Sequence, residues 1–306
     1  MEELKLIVTP SPHIRDDDST QSIMFNVLVA LLPVFAAAVY FYRLDALRLV
    51  ILSAGAAVAT EVTFQRVRQK PLTIWDGSAL VTGVLLGLIV PPSLPSWMMV
   101  LGSVFAIAIG KQVFGGLGYN PFNPALVGRA FLTASFALAM TVWHSPFDAV
   151  SSATPLALGA ARSNIPDLFF GSVAGSIGET SALAILLGGI YLFYKGTLDY
   201  RIPLGIFAAV VAVSILTGQD PVFHLLSGSL LFGAIFMATD LVTSPVTNWG
   251  RWIFGAGIGF IIMLIRIWGS YPEGVTFAIL LMNAATPLLN RWTRPRIYGQ
   301  GVKANE

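Results

Sequence analysis

Residues Ile23–Tyr42, IMFNVLVALLPVFAAAVYFY, run for twenty positions without a charged side chain. At about 1.5 Å of rise per residue, a helix of that length crosses the roughly 30 Å hydrocarbon core of a bilayer. A second, mainly apolar run, Leu47–Phe64, follows after four residues, so the two form a tight hairpin. The whole chain has the same character: of 306 residues, 55% are hydrophobic and 11% charged, with a mean hydropathy of +0.75, where soluble domains carry about 25% charged residues. The chain reads as an all-α integral membrane protein. The first run lies behind a polar segment that lacks the features of a secretory leader, so no cleaved signal peptide is expected.

Composition also excludes chemistry. The chain has no cysteine, which rules out thiolate-held iron–sulfur clusters and disulfides within it. Its three histidines, His13, His144 and His224, are too far apart in sequence to suggest paired haem ligands. Any electron transfer here therefore calls for an organic cofactor. A net charge of +2 spread over loops gives no footprint for a nucleic acid.

Outward from the first hairpin, further apolar runs follow at WDGSALVTGVLLGLIVPP (75–92), Trp97–Ile109 and Ala125–Val142, then at Thr180–Tyr194, Ile202–Thr217, Phe223–Ala238, Trp252–Trp268 and Gly274–Leu289. That gives about ten transmembrane helices, five on each side of a polar connection. The implied organisation is a tail at 1–22, a first five-helix repeat at 23–142, an extracytoplasmic loop at 143–179, a second repeat at 180–292 and a tail at 293–306. SALVTGVLLGLIVPP from Ser78 echoes SGSLLFGAIFMATDLVTSP from Ser227, third run against eighth. With five spans per half, the second half enters from the opposite side, and the repeats are inverted. With both termini cytoplasmic, thirteen Lys and Arg fall in inner segments, Lys111 among them, and four in outer ones. The positive-inside rule selects that orientation.

Three groups of residues stand out. In DAVSSATPL, Asp148–Leu156, a carboxylate and three hydroxyls lie clear of any apolar run. Pro155 biases Thr154 toward an extended backbone, which presents its hydroxyl to solvent, although the same pattern serves as an ordinary helix-capping turn. GGLGYNPFNPALVGRAFL, Gly115–Leu132, combines glycines with two Asn-Pro pairs and predicts a broken, re-entrant or half-helix entry. Ionisable residues at membrane depth form the third group, since their burial is costly without a purpose. Asp240, flanked by Thr239 and Thr243, and Glu61 are candidates for an ion pathway, and Asp76 opens the third run. Glu179 and Glu273 open runs six and ten and suit helix N-termini. Arg129 either pairs with an acid or holds a ligand carbonyl.

DAVSSAT resembles the flavinylation signature Asp-x-x-Ser/Thr-Gly-Ala-Thr of the family that contains the D-type subunit of the Rnf complex and the B-type subunit of the sodium-pumping NADH:quinone reductase. It departs from that signature at Ser152, where the family has Gly. GLGYNPFNPA, GSIGETS and YPEGVTFAILLMNAATPL follow the family order, and the length is closer to the Rnf type. The resemblance implies FMN joined to Thr154 by a phosphoester, with Asp148, Ser151 and Ala153 in the stretch a flavin transferase reads and Ser151 and Ser152 as rival acceptors. It implies a non-covalent riboflavin between the halves, with Asn120 and Asn123 at its edge and Arg129 as a further candidate. It also implies an inner-membrane subunit of an ion-translocating ferredoxin:NAD+ oxidoreductase that couples electron flow to Na+ or H+ movement. Its partners would be membrane iron–sulfur and flavin subunits and the subunits that react with NADH and ferredoxin. A facilitative solute channel or a non-redox scaffold would share the architecture without the flavins.

Overall fold

The computed structural model describes residues 19–147, 154–158, 164–269 and 274–295. Among them the chain is helical. Three helices are long and apolar enough to cross a membrane: α1 (Thr20–Tyr42), α2 (Leu44–Val67) and, in the second half, α13 (Asn248–Trp268). Helix α1 starts on a Ser19 cap that accepts from the Ser22 N–H. It turns into α2 through a single residue, Arg43 (φ 50°), which makes the expected hairpin.

The shorter elements of the first half are α3 (Ser78–Leu88), α4 (Ser96–Ile107), α5 (Pro124–Ser135) and α6 (Ala137–Thr141). Asp76 Oδ1 accepts both the backbone N–H and the hydroxyl of Ser78, which starts α3. The Pro91-Pro92 pair forbids its continuation, and it ends at Leu88. Helix α4 runs into a π turn at Ala108–Gln112, then a glycine loop in which Gly115, Gly116 and Gly118 all have positive φ. As the Asn-Pro pattern predicts, the chain breaks there and restarts at Pro124. Asn123 caps α5 by accepting from Ala125 and Leu126.

Helices α7 (Pro155–Leu158) and α8 (Ile165–Phe170) lie in the central connection, and the second half continues with α9 (Ala182–Tyr194), α10 (Arg201–Leu216), α11 (Pro221–Leu226), α12 (Leu230–Phe232), a π turn at Gly233–Met237, then α13 and α14 (Val275–Trp292). Two predicted spans prove to be broken. Ala125–Val142 divides at Phe136 (φ −132°, ψ 49°), which leaves the helical region. Phe223–Ala238 divides at Ser227–Ser229, where Ser227 is extended and Gly228 has φ 67°.

In lipid there is little hydrophobic drive between helices, so association depends on close packing and on small residues. The closest joins follow that rule. Helices α10 and α13 pack along each other where a Cβ on Gly255 or Gly259 would run into the Ile202 or Ile206 carbonyl. Helices α1 and α9, one from each half, meet where Gly188 lies directly against the Ala30 carbonyl. Within the first half α2 packs on α3 and α4, and α4 on α5. In the second, α13 packs on α10 and α14, while α5 meets α14 across the halves.

Candidate functional site

The sequence-marked residues fall at opposite ends of the bundle. At the end where α1 begins, a cavity of about 790 Å3, including its open mouth, is lined from both halves. The enclosed space within it is about 80 Å3, below the roughly 300–1,000 Å3 range of small-molecule sites. Its walls carry Asn120, Asn123, Lys111, Thr82, Thr239 and Asp240. The two Asn residues and Asp240, read separately in the sequence, therefore share one cavity. The third and eighth runs, which echo each other in sequence, face it through Val81 and Thr82 on one side and Ile235 and Phe236 on the other.

Asn123 and Asn120 are both buried. Besides capping α5, Asn123 donates from Nδ2 to the Met237 carbonyl at 3.3 Å, which ties the first half to the end of the eighth run. Asn120 donates to the Phe122 carbonyl at 3.1 Å. Its Oδ1 is buried and has no hydrogen-bond partner among the described residues. Asp240 accepts from the Thr243 hydroxyl at 3.0 Å and the Val242 N–H at 3.4 Å. Thr239, the other hydroxyl expected beside it, donates instead to Ile235 O in its own turn.

Asn123 and Asp240 are joined through a residue that sequence reading missed. Asn283, in α14, accepts the Asn123 N–H on Oδ1 and donates to the Thr243 carbonyl, each at 3.3 Å. Thr286 donates to the same carbonyl at 2.9 Å. An Asn in an apolar helix was itself a signal, because an amide at membrane depth needs partners on both faces.

Glu61 does not line the cavity. Only 1% exposed, it accepts on Oε1 from Lys111 Nζ (2.7 Å), Gln112 (2.8 Å) and Gln65 (3.3 Å). Lys111 was assigned to a cytoplasmic loop. It is instead buried in the π turn that follows α4, because its ammonium finds Glu61 there. Removing it from the inner set leaves twelve basic residues against four.

Thr154 lies toward the other end, where α1 finishes. It directly precedes α7 and is 4% exposed, so the expectation of a solvent-presented hydroxyl is corrected. The segment folds against the GSIGETS stretch in a crevice of about 290 Å3 lined by Thr154, Gly175, Glu179, Thr180 and Gly228. Asp148, Ser151, Ser152 and Ala153 lie outside the described residues, as does Glu273.

GSIGETS acts as a backbone plug. The N–H groups of Ile177 and Gly178 donate to the Val90 and Leu88 carbonyls at 3.1 and 2.7 Å, which satisfies the end of α3. Glu179 was expected as a helix N-terminal charge. The α9 cap is Ser181, and Glu179 instead takes Arg129 at 2.9 Å in a buried ion pair. Arg129 thus adopts the acid-paired alternative and does not line the cavity of Asn120 and Asn123.

The sequence model of the NQR2, RnfD, RnfE family matches residues 7–299. The chain belongs to that family. It is 51% identical, over 98% of its own length and 97% of the relative's, to the D-type subunit of the Na(+)-translocating ferredoxin:NAD(+) oxidoreductase complex of Acetobacterium woodii. It is 44% identical, over 95% and 96% of the two lengths, to the proton-translocating counterpart from Clostridium ljungdahlii. The D-type subunit of the ion-translocating oxidoreductase complex of Stutzerimonas stutzeri is 41% identical over 93% of this chain and 94% of its own. The family, the apolar composition and the three long apolar helices make this a membrane protein.

Proposed function

We propose that this chain is the D-type membrane subunit of an Rnf complex, a translocase that couples electron flow between ferredoxin and NAD+ to Na+ or H+ movement. The observation that carries the reading is the cavity shared by both halves. Asn120, Asn123 and Asp240 converge there, and the Asn120 carboxamide oxygen is buried without a partner among the described residues. A buried acceptor left unmet costs free energy, so a ligand that donates to it is the expected occupant. Riboflavin suits the cavity by its polar ring edge, which offers both donors and acceptors to the two amides. In this reading Asn120 and Asn123 hold the ring, Asp240 is the ion-linked carboxylate and Glu61 lies behind it.

Thr154 is proposed to carry FMN as a phosphoester. The crevice of about 290 Å3 lies at or below the small end of ligand pockets, so the flavin ring would sit outside it. Thr154 would be reached by the transferase before the segment closes. The two flavins would then occupy opposite ends of the bundle, with the chain supplying the path between them and partner subunits supplying the ferredoxin and NADH chemistry.

The proposed topology is ten spans in two inverted five-helix repeats in the cytoplasmic membrane, with both termini inside. The helix contacts support it. The α2–α4 and α4–α5 joins of the first half correspond to α10–α13 and α13–α14 of the second, and α1–α9 and α5–α14 pair equivalent spans across the halves. A denaturing gel of the purified subunit under ultraviolet light tests the flavin reading. A fluorescent band at the chain's mass is expected. A dark band would favour a channel or a scaffold.

A further inference from the structure

The flank of the bundle carries a second hollow, roomier than the cavity between the halves. Helices α4, α5 and α14 leave a groove there with about 530 Å3 of space, inside the roughly 300–1,000 Å3 range of small-molecule sites. Every residue along it is apolar, from Phe114 and Phe122 at one end to Ala134 at the other. Phe105 of α4 stacks on Phe131 of α5 with ring centroids 4.1 Å apart, which ties those two helices together along its wall. Val127 to Ala134 advance about 10 Å along α5, so the groove follows the helix axis. Ile109, Phe114 and Ala134 are all exposed on it.

The Phe114 end is basic. Arg66, Arg68 and Lys70 stand together where α2 finishes, and all three are exposed. Among the described residues no acid pairs with them, because Glu61 is taken by Lys111 and Asp76 by Ser78. Arg68 donates from Nη1 to the Gln112 carbonyl at 2.6 Å. Gln112 closes the π turn that gives Ile109 and Gly110 to the groove, and Phe114 comes two residues later. Two residues of chain reach at most about 7 Å, so the Arg68 guanidinium is fixed beside the end of the groove. A guanidinium has five N–H donors, and this bond uses one.

We infer that the groove holds an acyl chain of one anionic phospholipid, whose phosphate lies against Arg68 with Arg66 and Lys70 around it. An apolar groove offers nothing to the polar ring of a flavin or a quinone, but it suits a hydrocarbon chain. Basic residues at the membrane surface attract anionic lipid, and basic pockets between helices bind its headgroup. A partner's transmembrane helix would cover the apolar surface equally well, yet it would leave the three cations without a phosphate. Gly110 connects the groove to the interior: it packs on Pro124 and Val127, and Pro124 lines the cavity between the halves. The lipid therefore braces a wall that the two hollows share. The inference goes beyond the flavin reading and is independent of it and of the chain's orientation.

The test uses the assembled complex in dodecyl maltoside, saturated with equal amounts of phosphatidylglycerol and phosphatidylcholine and then washed with lipid-free detergent. Retained phospholipid is extracted and counted by mass spectrometry. Ala134→Phe fills the groove from an exposed position and should retain one phosphatidylglycerol fewer per complex than the wild type, with every subunit still present. Arg66→Gln/Lys70→Gln keeps the groove and the Arg68 bond, and should need at least about tenfold more phosphatidylglycerol to refill the site, with phosphatidylcholine unaffected. Wild-type retention of phosphatidylglycerol by both variants overturns the inference. So does a lipid lost from Ala134→Phe that is phosphatidylcholine as often as phosphatidylglycerol. Loss of a partner subunit from Ala134→Phe with phospholipid unchanged also overturns it, and puts a protein helix in the groove.

Discussion

The backbone N–H of Asn123 and the side-chain oxygen of Asn283 meet at 3.3 Å across 160 positions of sequence, and this bond joins the mouth of α5 to the middle of α14. Asn283 continues to the Thr243 carbonyl, and the Thr243 hydroxyl continues to Asp240. The cavity wall and the buried carboxylate are thus held by one short network. Asn283→Leu removes a donor and an acceptor and strands the buried Asn123 N–H, while the Thr243 carbonyl keeps Thr286. It should cost about 1–3 kcal/mol per group stranded, read as a lowered midpoint of thermal unfolding in detergent. An unchanged midpoint would show that the network contributes no stability.

Asp240→Asn keeps the shape of the side chain and its contact with Thr243 while it removes the charge. Ion uptake driven by electron transfer in reconstituted vesicles should fall by an order of magnitude or more, with the covalent flavin retained. Normal pumping would reduce Asp240 to a residue that terminates a helical run.

Arg129 and Glu179 form an ion pair at 2.9 Å with both side chains nearly inaccessible. Truncating one member of a buried ion pair costs about 3–5 kcal/mol, whereas an apolar pair of similar volume is often tolerated. Arg129→Met should therefore unfold at markedly lower temperature or fail to accumulate, and Arg129→Met/Glu179→Met should recover most of the loss. Equal damage from the single and double variants would indicate a role beyond charge compensation.

Asp199 accepts from the Arg201 backbone N–H and from the side chains of both Arg201 and Arg251. Burial alone would raise its carboxyl, but the backbone hydrogen bond and the two guanidiniums outweigh that and hold it below its ordinary value of 3.8. A depressed folded value means that the stabilisation is complete above the unfolded value and is lost as pH falls through the folded one. Wild type should lose stability below about pH 4 along a limb that Asp199→Asn lacks. Parallel acid profiles for the two proteins would contradict this account.

Thr154→Ala should abolish the fluorescent band and cost about 1 kcal/mol or less of stability, since it removes one small buried side chain. Ser152→Gly restores the usual signature and should keep or improve attachment. Peptide mass spectrometry checks the position, and FMN found on Ser151 or Ser152 would reassign it.

Cysteine labelling suits a chain without native thiols. Lys195→Cys should react only from the cytoplasmic side and Arg162→Cys only from the outside. The reverse pattern would invert the topology and remove the basis for the inverted repeats.

Sequence alone determined the helical membrane class, because a twenty-residue run without charge has few other fates. It also determined the break before α5, because Asn123-Pro124 is at once a stop and a cap. Composition excluded thiolate-held clusters and disulfides within the chain, and motif order identified the family. Other features depended on contacts between segments far apart in sequence. Lys111 reads as a loop charge until Glu61, fifty positions away, draws it inside. Thr154 reads as exposed until GSIGETS folds over it, and that stretch reads as a loop until its N–H groups meet the end of α3. Local sequence fixes hydropathy, caps and breaks, which depend on neighbours within a turn. Whether a buried charge, amide or hydroxyl is satisfied depends on partners that only the packed bundle brings together.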